Sequence, residues 1–162
     1  MNVGPDLEAD KIVAAIHAAF PTDRSPALIA ALAERGGHPE TDEMRDRVAG
    51  REWNAVEDSA YLASCPSPFV MGESCTIYYL PGLLCAALRE LEGDLADRLV
   101  TDFLRPPGNR QDFETFRRRF SMLTDAQKRS TANFLRYCRD MRYSNPRLKA
   151  RIDDSISRFW GV

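Results

Sequence analysis

Apolar residues recur along most of this chain at helical spacing, three or four positions apart. Residues 7–20 predict a first helix, which Asp6 or Asp10 supports at its start and Pro21 ends. Its apolar side chains are Ile12, Ile16, Ala19 and Phe20. This spacing indicates that one face of the helix is buried.

Shorter signals follow before residue 70. A cap followed by a proline at residues 25–26 predicts a short helix over 27–34. A second capped segment predicts a helix over 41–49, and Trp53 opens a further short helical stretch. Two prolines within residues 64–69 break the regular structure there.

Residues 73–91 form the most apolar part of the chain and predict a helix. Pro81 lies inside this pattern, so it either kinks one long helix or begins a second one. Apolar residues occupy more than one face after Pro81, which places this helix at the centre of the core. The main repeat is Ile77, Leu80, Leu84 and Leu88.

Four further helices are predicted in the second half of the chain. One covers residues 94–104, with a stripe of Leu95, Leu99 and Phe103. A second is capped by Asp112 and carries three phenylalanines. A capping box at residues 124–127 begins the third, which runs to about residue 143. It is predicted to bury Phe134, Tyr137, Cys138 and Met141. Asn145-Pro146 opens the last helix, with a stripe of Leu148, Ile152, Ile156 and Phe159.

No segment shows the sustained alternation of apolar and polar residues that is typical of a strand. The chain also contains no apolar run that is long enough to span a membrane. We therefore predict an all-α fold in which residues 1–162 form a single compact domain of seven to nine helices around the proline-kinked central helix. At 162 residues, the chain is long enough to bury a sizeable core without metals or disulfides.

The small net charge of −2 conceals an uneven distribution. Residues 1–100 contain 8 basic and 17 acidic side chains, whereas residues 101–162 contain 14 basic and 7 acidic ones. The excess of arginine is suited to carboxylates and phosphates, and so to an anionic partner. Alternatively, the acidic and basic segments pack side by side and neutralise one another, which is the interpretation that we favour.

The cysteines point to a reducing compartment. None of the four belongs to a C-x-x-C pair, so we expect free thiols, no metal site and a cytoplasmic protein. Cys85 and Cys138 lie on apolar helical faces and are predicted to be core residues, while Cys65 lies in the proline-rich segment. The first residues carry acids and no apolar stretch, which does not resemble a secretory signal.

Catalytic signatures are missing from the sequence. It contains none of the common phosphate-binding, zinc-protease or nucleophile-elbow motifs, and only His17 and His38 are histidines. We interpret His17 as a residue at the edge of the core and His38 as a solvated loop residue. The sequence favours a protein without catalytic residues or cofactor, although it does not exclude an enzyme.

Two features remain as candidate binding residues. Opposite Phe134, the helix from residue 125 carries an arc of basic residues, and a run of three arginines precedes it; together these are Lys128, Arg129, Arg136, Arg139, Arg142, Arg117, Arg118 and Arg119. The second feature is the pair Tyr78 and Tyr79, which cannot share one helical face. Either their hydroxyls satisfy buried polar groups, or one of these tyrosines lines a cleft.

Several of these residues together resemble a family of small bacterial proteins known only as a domain of unknown function. They are Trp53, the Tyr-Leu-Pro element at residues 79–81, Arg105-Pro106-Pro107, the phenylalanines of 116–120 and the Leu-Thr element at residues 123–124. The family has Ala-Tyr where this chain has Gly82-Leu83, and Pro-Glu where it has Asp125-Ala126. The resemblance implies a bacterial, cytosolic, helical protein and supplies no catalytic residues.

Three functional hypotheses follow. The first is a non-catalytic module that binds another protein through a charged or aromatic surface, with a toxin-neutralising immunity protein as one form. The second is a nucleic-acid or anionic-ligand binder that uses the arginine-rich face; inward-pointing aromatics and a pI near 5.7 make it the weaker one. The third is an enzyme with an unfamiliar site. The sequence leaves the oligomeric state open.

Overall fold

The computed structural model describes residues 6–23, 51–55 and 73–161, and every regular element in these ranges is helical. The α-helices are α1 (Leu7–Ala19), α2 (Glu73–Arg89), α3 (Asp94–Arg98), α4 (Arg110–Arg119), α5 (Asp125–Met141) and α6 (Pro146–Ser155). Three short elements accompany them: a 3₁₀ turn at Trp53–Ala55 and π-helical turns at Leu99–Phe103 and Ile156–Trp160. The all-α class is thus confirmed.

The six α-helices of the described ranges are fewer than the seven to nine that we predicted. The helices predicted over 27–34 and 41–49, and the proline-containing break at 64–69, lie outside the described residues. One further difference concerns residues 94–104, where a single predicted helix is an α-helix followed by a π-helical turn. The predicted stripe of Leu95, Leu99 and Phe103 is buried as expected.

The first helix follows its sequence signals closely. The Asp6 carboxylate accepts hydrogen bonds from the backbone N–H groups of Glu8 and Ala9 and so caps α1. Ile12 and Ile16 are buried along one face, and Phe20 is buried just beyond the last turn. The predicted helix and its buried face are confirmed.

Helix α2 lies at the centre of the core, as predicted. It is one helix rather than two, because it continues through Pro81 on both sides. A proline inside a helix normally disfavours the fold since it has no N–H to donate. Here every residue from 79 to 88 is buried, and this burial on all sides favours the helix despite Pro81.

The start of α4 differs from the prediction. Asn109, not Asp112, is the N-cap, and its side-chain oxygen accepts from the backbone N–H of Asp112 at 2.8 Å. The Asp112 carboxylate in turn accepts from the Asn109 side-chain amide at 2.6 Å. Asp112 therefore lies inside the first turn, where its negative charge is favourable.

The capping box of α5 is confirmed at its start, whereas its end is shorter than predicted. Thr124 and Gln127 bond each other's backbone N–H groups. The helix ends at Met141 rather than Tyr143, and Met141 is 57% exposed instead of buried. Phe134, Tyr137 and Cys138 are buried as predicted, as is Cys85 on α2.

The last residues of the chain pack into an aromatic cluster that the sequence only partly indicated. Asn145 caps α6, and Pro146 occupies its first turn as predicted. Trp160, which the periodicity did not single out, is fully buried and donates from its indole nitrogen to the Leu104 carbonyl at 2.7 Å. We call this group the aromatic cluster; it comprises Phe103, Phe116, Phe120, Phe159 and Trp160.

Helices α1 and α5 run antiparallel beside α2. The Ser130 hydroxyl near the start of α5 donates to the Ala15 carbonyl, and the Tyr137 hydroxyl, two turns later, donates to Asp6. This arrangement positions the end of α1 near the start of α5. No helix in the described part of the chain is long and apolar enough to cross a membrane.

Candidate functional site

A groove of about 580 Å³ opens where the end of α1, the start of α2, the end of α4 and the loop into α5 meet. Its apolar surface comes from Phe20, Ile77, Tyr78, Met122 and Leu123. We call it the Tyr78 groove. Three chain segments far apart in sequence contribute to it, at residues 20–23, 73–78 and 118–127, so local periodicity could not have predicted it.

The two adjacent tyrosines of α2 have different surroundings. Tyr79 is fully buried, and its hydroxyl donates to the Arg51 carbonyl at 2.9 Å. Tyr78 is half-buried and lines the groove, and its hydroxyl donates to the Thr22 carbonyl at 2.6 Å. The bond to Thr22 fixes the Tyr78 ring against the end of α1. Of the two alternatives for this pair, the cleft applies to Tyr78 and the satisfied buried hydroxyl to Tyr79.

Met122 is the most exposed large apolar side chain in the described part of the chain, at 82%. It stands between Phe120 and Leu123, which are both buried. Placing a large flexible apolar group in water forgoes the free energy that its burial would contribute. Met122 was not predicted as a site residue, because a methionine in a short loop carries no periodic signal.

Charges of both signs border this apolar surface. Arg118 and Arg119 lie on the α4 side, whereas Asp23 and Glu73 lie on the side of α1 and α2. The exposed guanidinium of Arg118 makes no ion pair with any residue that the structure describes. Arg117, the first member of the predicted run, does not line the groove and lies 3.9 Å from Glu114.

The predicted basic arc on α5 is not one open face. The Arg142 side chain is only 13% exposed; it donates to the Leu91 carbonyl and lies 3.8 Å from Asp97. Arg139 donates hydrogen bonds to Asp140, at 2.8 Å, and to Asp153. The bond to Asp140, and after it the bond to Asp153, are the largest causes that raise the pKa of Arg139. These contacts occupy two of the predicted binding arginines.

The remaining basic residues of the arc point in different directions. Lys128 lies over the Phe159 ring, 5.0 Å from its centroid. Arg129 and Arg136 are exposed, and Arg136 donates to the Asn133 side chain at 3.0 Å. The Arg142–Asp97 contact joins the basic and acidic halves of the chain, in the manner of the neutralisation that we favoured. The Arg139 contacts, by contrast, stay within the basic half.

The titratable groups of the core favour neutral forms. Burial raises the pKa of the Cys138 thiol to about 12 and also raises that of Cys75. Both thiols are therefore protonated at neutral pH, and a protonated thiol is a poor nucleophile and a poor metal ligand. The described residues contain no group of three histidine, cysteine or carboxylate side chains arranged to hold a metal ion.

A titratable contact joins α1 to α5. Burial, followed by the hydrogen bond to Asp6, raises the pKa of Tyr137 to about 12. The same hydrogen bond is the largest cause that lowers the pKa of Asp6. His17, on α1, packs its ring at 4.8 Å from the Trp53 ring, as suits a residue at the edge of the core.

These features define a helical protein that carries, in the part of the chain that the structure describes, an apolar groove with a charged border. The chain belongs to a family of unknown function, DUF6714, which it matches over residues 8–161. That match agrees with the resemblance to a family of unknown function. No curated protein and no solved structure is similar enough to this chain to match it.

Proposed function

We propose that this chain is a non-catalytic protein-interaction module that holds a segment of a partner protein in the Tyr78 groove. The observation that carries the proposal is the exposed Met122 beside the half-buried Tyr78. Aromatic residues, methionine and arginine are the side chains enriched where proteins bind one another. Binding would remove this apolar surface from water, which favours association.

The chemistry of the groove specifies the partner segment. Its apolar surface is suited to one or two large apolar side chains, and Arg118 is suited to an acidic residue next to them. A carboxylate can accept two parallel hydrogen bonds from a guanidinium, and such a bond is stronger than one between neutral groups. We therefore propose an acidic-apolar segment as the occupant.

One concrete form of this proposal is an immunity protein that neutralises a toxin in the bacterial cytoplasm. Such a protein needs a complementary surface and no chemistry of its own. In this form, the acidic-apolar segment belongs to the toxin. A toxin gene beside the gene of this chain would support the immunity form, and its absence would leave only the general interaction module.

The test compares matched surface variants in binding to a partner identified by co-purification. We expect Met122→Lys and Arg118→Glu each to weaken binding at least tenfold. The controls are Met141→Lys and Arg129→Glu, which change an exposed methionine and an exposed arginine outside the groove. The proposal is wrong if the control variants lose affinity while the groove variants keep it.

A second measurement checks that the groove is open in the free protein. A cysteine introduced by Met122→Cys should react with a thiol reagent at the rate of an exposed thiol. The wild-type chain supplies the background from its own thiols, of which Cys75, Cys85 and Cys138 are buried and Cys65 lies outside the described residues. Slow labelling at position 122 would mean that the groove is already covered, and would contradict the proposal.

The alternative proposal is a nucleic-acid or anionic-ligand binder that uses Arg129, Arg136 and the run at residues 117–119. A retarded band in a gel-shift assay that weakens steeply with added salt would favour it. In that case Arg129→Glu should weaken the band, while Met122→Lys, which adds a positive charge, should not. An enzyme with an unfamiliar site is the third proposal, and turnover of a substrate by the purified chain would favour it.

A further inference from the structure

A second, smaller cleft lies on a different face, between the π-helical turn Leu99–Phe103 and α6. It holds about 50 Å³, which is enough for a few water molecules or one small oxyanion. Val100, Leu148 and Ile152 form its apolar walls, and two exposed arginines line it: Arg105, just after the π-helical turn, and Arg151 on α6. We call it the Arg105–Arg151 cleft.

The two arginines share this cleft without a carboxylate to neutralise them. Within the described residues, no acidic side chain lines it, and neither guanidinium forms an ion pair. The neighbouring aspartates of α6 have other partners, since Asp153 bonds Arg139 and Asp154 lies 3.5 Å from Arg158. Like charges repel, so two of them at one small cleft favour an anion between them.

The nearby acids outside α6 do not change this balance. Asp97 accepts from the Tyr143 hydroxyl at 3.0 Å and lies 3.8 Å from Arg142. Asp102 lines an adjoining cleft of about 370 Å³ together with Arg105, but the two side chains form no ion pair. The smaller cleft therefore keeps its positive charge.

The backbone that carries Arg105 is held on both sides. The Leu104 carbonyl accepts from the buried Trp160 indole at 2.7 Å. Both proline carbonyls that follow, Pro106 and Pro107, accept from the Arg158 guanidinium, at 3.3 and 2.7 Å. A fixed backbone reduces the entropy lost when the Arg105 side chain binds a ligand.

The hydroxyls of the cleft already have acceptors. Thr101 donates to the Asp97 carbonyl at 2.8 Å, and Ser155 donates to the Arg151 carbonyl at 2.9 Å. The donors left for a ligand are thus the two guanidiniums. Such planar donor pairs match the oxygens of a phosphate group better than any other side chain does.

From these observations we infer that the Arg105–Arg151 cleft binds a single phosphate group. One tetrahedral dianion balances the two positive charges and fits the volume. The group is either free phosphate or the phosphate of a small monoester. This site shares no residue with the Tyr78 groove, so its test is independent of the proposed function.

The experiment titrates the full chain with inorganic phosphate at constant ionic strength, with amide chemical shifts as the readout. We expect saturable shifts in residues 100–105 and 148–155, and none when chloride replaces phosphate. Phosphoserine provides a second probe: tighter binding than inorganic phosphate assigns the site to a monoester, and equal or weaker binding assigns it to the free ion.

Matched double variants separate the cleft from general charge. Arg105→Gln with Arg151→Gln should weaken phosphate binding at least tenfold. Arg110→Gln with Arg147→Gln removes the same charge from exposed positions outside the cleft and should leave the affinity within twofold. Arg105→Lys with Arg151→Lys keeps the charge and loses the planar donors, so it should weaken binding by an intermediate factor.

Two results would overturn the inference. One is the absence of saturable shifts with both phosphate and phosphoserine. The other is an equal loss of affinity in the cleft variants and in the exposed-arginine variants. Thermal unfolding verifies that each variant is folded. If the double glutamine variant does not fold, the affinity of the double lysine variant tests the inference instead.

Discussion

Two aromatic regions flank the loop between α4 and α5, and they differ in how far they are closed. The aromatic cluster is sealed by Trp160, which is fully buried and bonded to the Leu104 carbonyl. The Tyr78 groove contains similar side chains, yet Met122 at its edge is 82% exposed. Within four residues, the loop passes from the buried Phe120 to the exposed Met122 and back to the buried Leu123.

Aromatic content therefore does not distinguish a core from a binding surface. Phe116 and Phe120 are core residues because the π-helical turn Ile156–Trp160 covers them, with ring centroids 4.8–6.0 Å apart from one another and from Trp160. Tyr78 has its hydroxyl satisfied by Thr22, but one side of its ring faces the groove. The covering element, rather than the residue type, decides the outcome.

The largest effect should come from opening the closed region. Trp160→Ala removes a fully buried indole and leaves the Leu104 carbonyl without its donor, so it should lower the free energy of unfolding by about 3–5 kcal/mol. Trp160→Phe keeps most of the packing and loses the hydrogen bond, with an expected cost of about 1–3 kcal/mol. Urea denaturation measures both, and a Trp160→Ala variant as stable as the wild type would refute the sealed cluster.

An intermediate, pH-dependent effect should come from the contact that holds α1, which contributes Phe20 to the groove. Tyr137→Phe removes the hydrogen bond to Asp6, so the stability difference between wild type and variant should be constant over the neutral range. The stability difference should shrink as the pH falls below 3.8. The hydrogen bond from Tyr137 stabilises the ionised Asp6 carboxylate, which is why the pKa of Asp6 is lowered, and protonation of Asp6 removes this contribution.

The same difference should also shrink as the pH rises from 10.0 towards about 12, because the phenol of the unfolded chain ionises first. Denaturation curves across the pH range measure it. Tyr143, whose pKa is also raised by burial, remains in both proteins and cancels in the comparison. A difference that is independent of pH would mean that Asp6 and Tyr137 are not coupled.

The smallest effect on stability should come from the open region. Met122→Ser changes an exposed side chain and should alter the free energy of unfolding by no more than about 0.5 kcal/mol. Denaturation under the same conditions as for Trp160→Ala measures it. A cost of several kcal/mol would show that Met122 is buried in the free protein, and the contrast between the two regions would disappear.

The end of α5 shows where sequence periodicity is insufficient. The pattern placed Met141 in the core and Arg142 on the open basic face, and the structure reverses this order. Met141 is 57% exposed, whereas the Arg142 side chain is 13% exposed and bonded to the Leu91 carbonyl. The helix ends at Met141, so the regular rotation of 100° per residue no longer applies beyond it, and contacts with distant residues decide the position of Arg142.

The start of α4 shows a local ambiguity of another kind. Asn109 and Asp112 are both good capping residues three positions apart, and either could begin a helix. The structure uses the first as the cap and the second as its partner within the first turn. In α5, Gln127 three positions after Thr124 completes a capping box, and this prediction is confirmed.

For the candidate site, the sequence indicated Tyr78, Arg118 and Arg119 as separate features, without indicating that they meet. Their meeting depends on how α1, α2 and α4 pack, and packing joins residues some forty positions apart in the chain. Met122 and the Arg105–Arg151 cleft carried no signal, because exposure in a short loop and the absence of a counter-charge are properties of the folded molecule.

The helical class, the caps of α5 and α6 and most of the buried helical faces follow from the amino-acid sequence. These depend on hydrogen bonds and spacings within one or two turns, which neighbouring residues alone specify. The packing of the helices decides which arginines contact carboxylates, which aromatic region is buried and which stays open. Those outcomes depend on distances between remote segments, and residue identity does not fix such distances until the helices are packed.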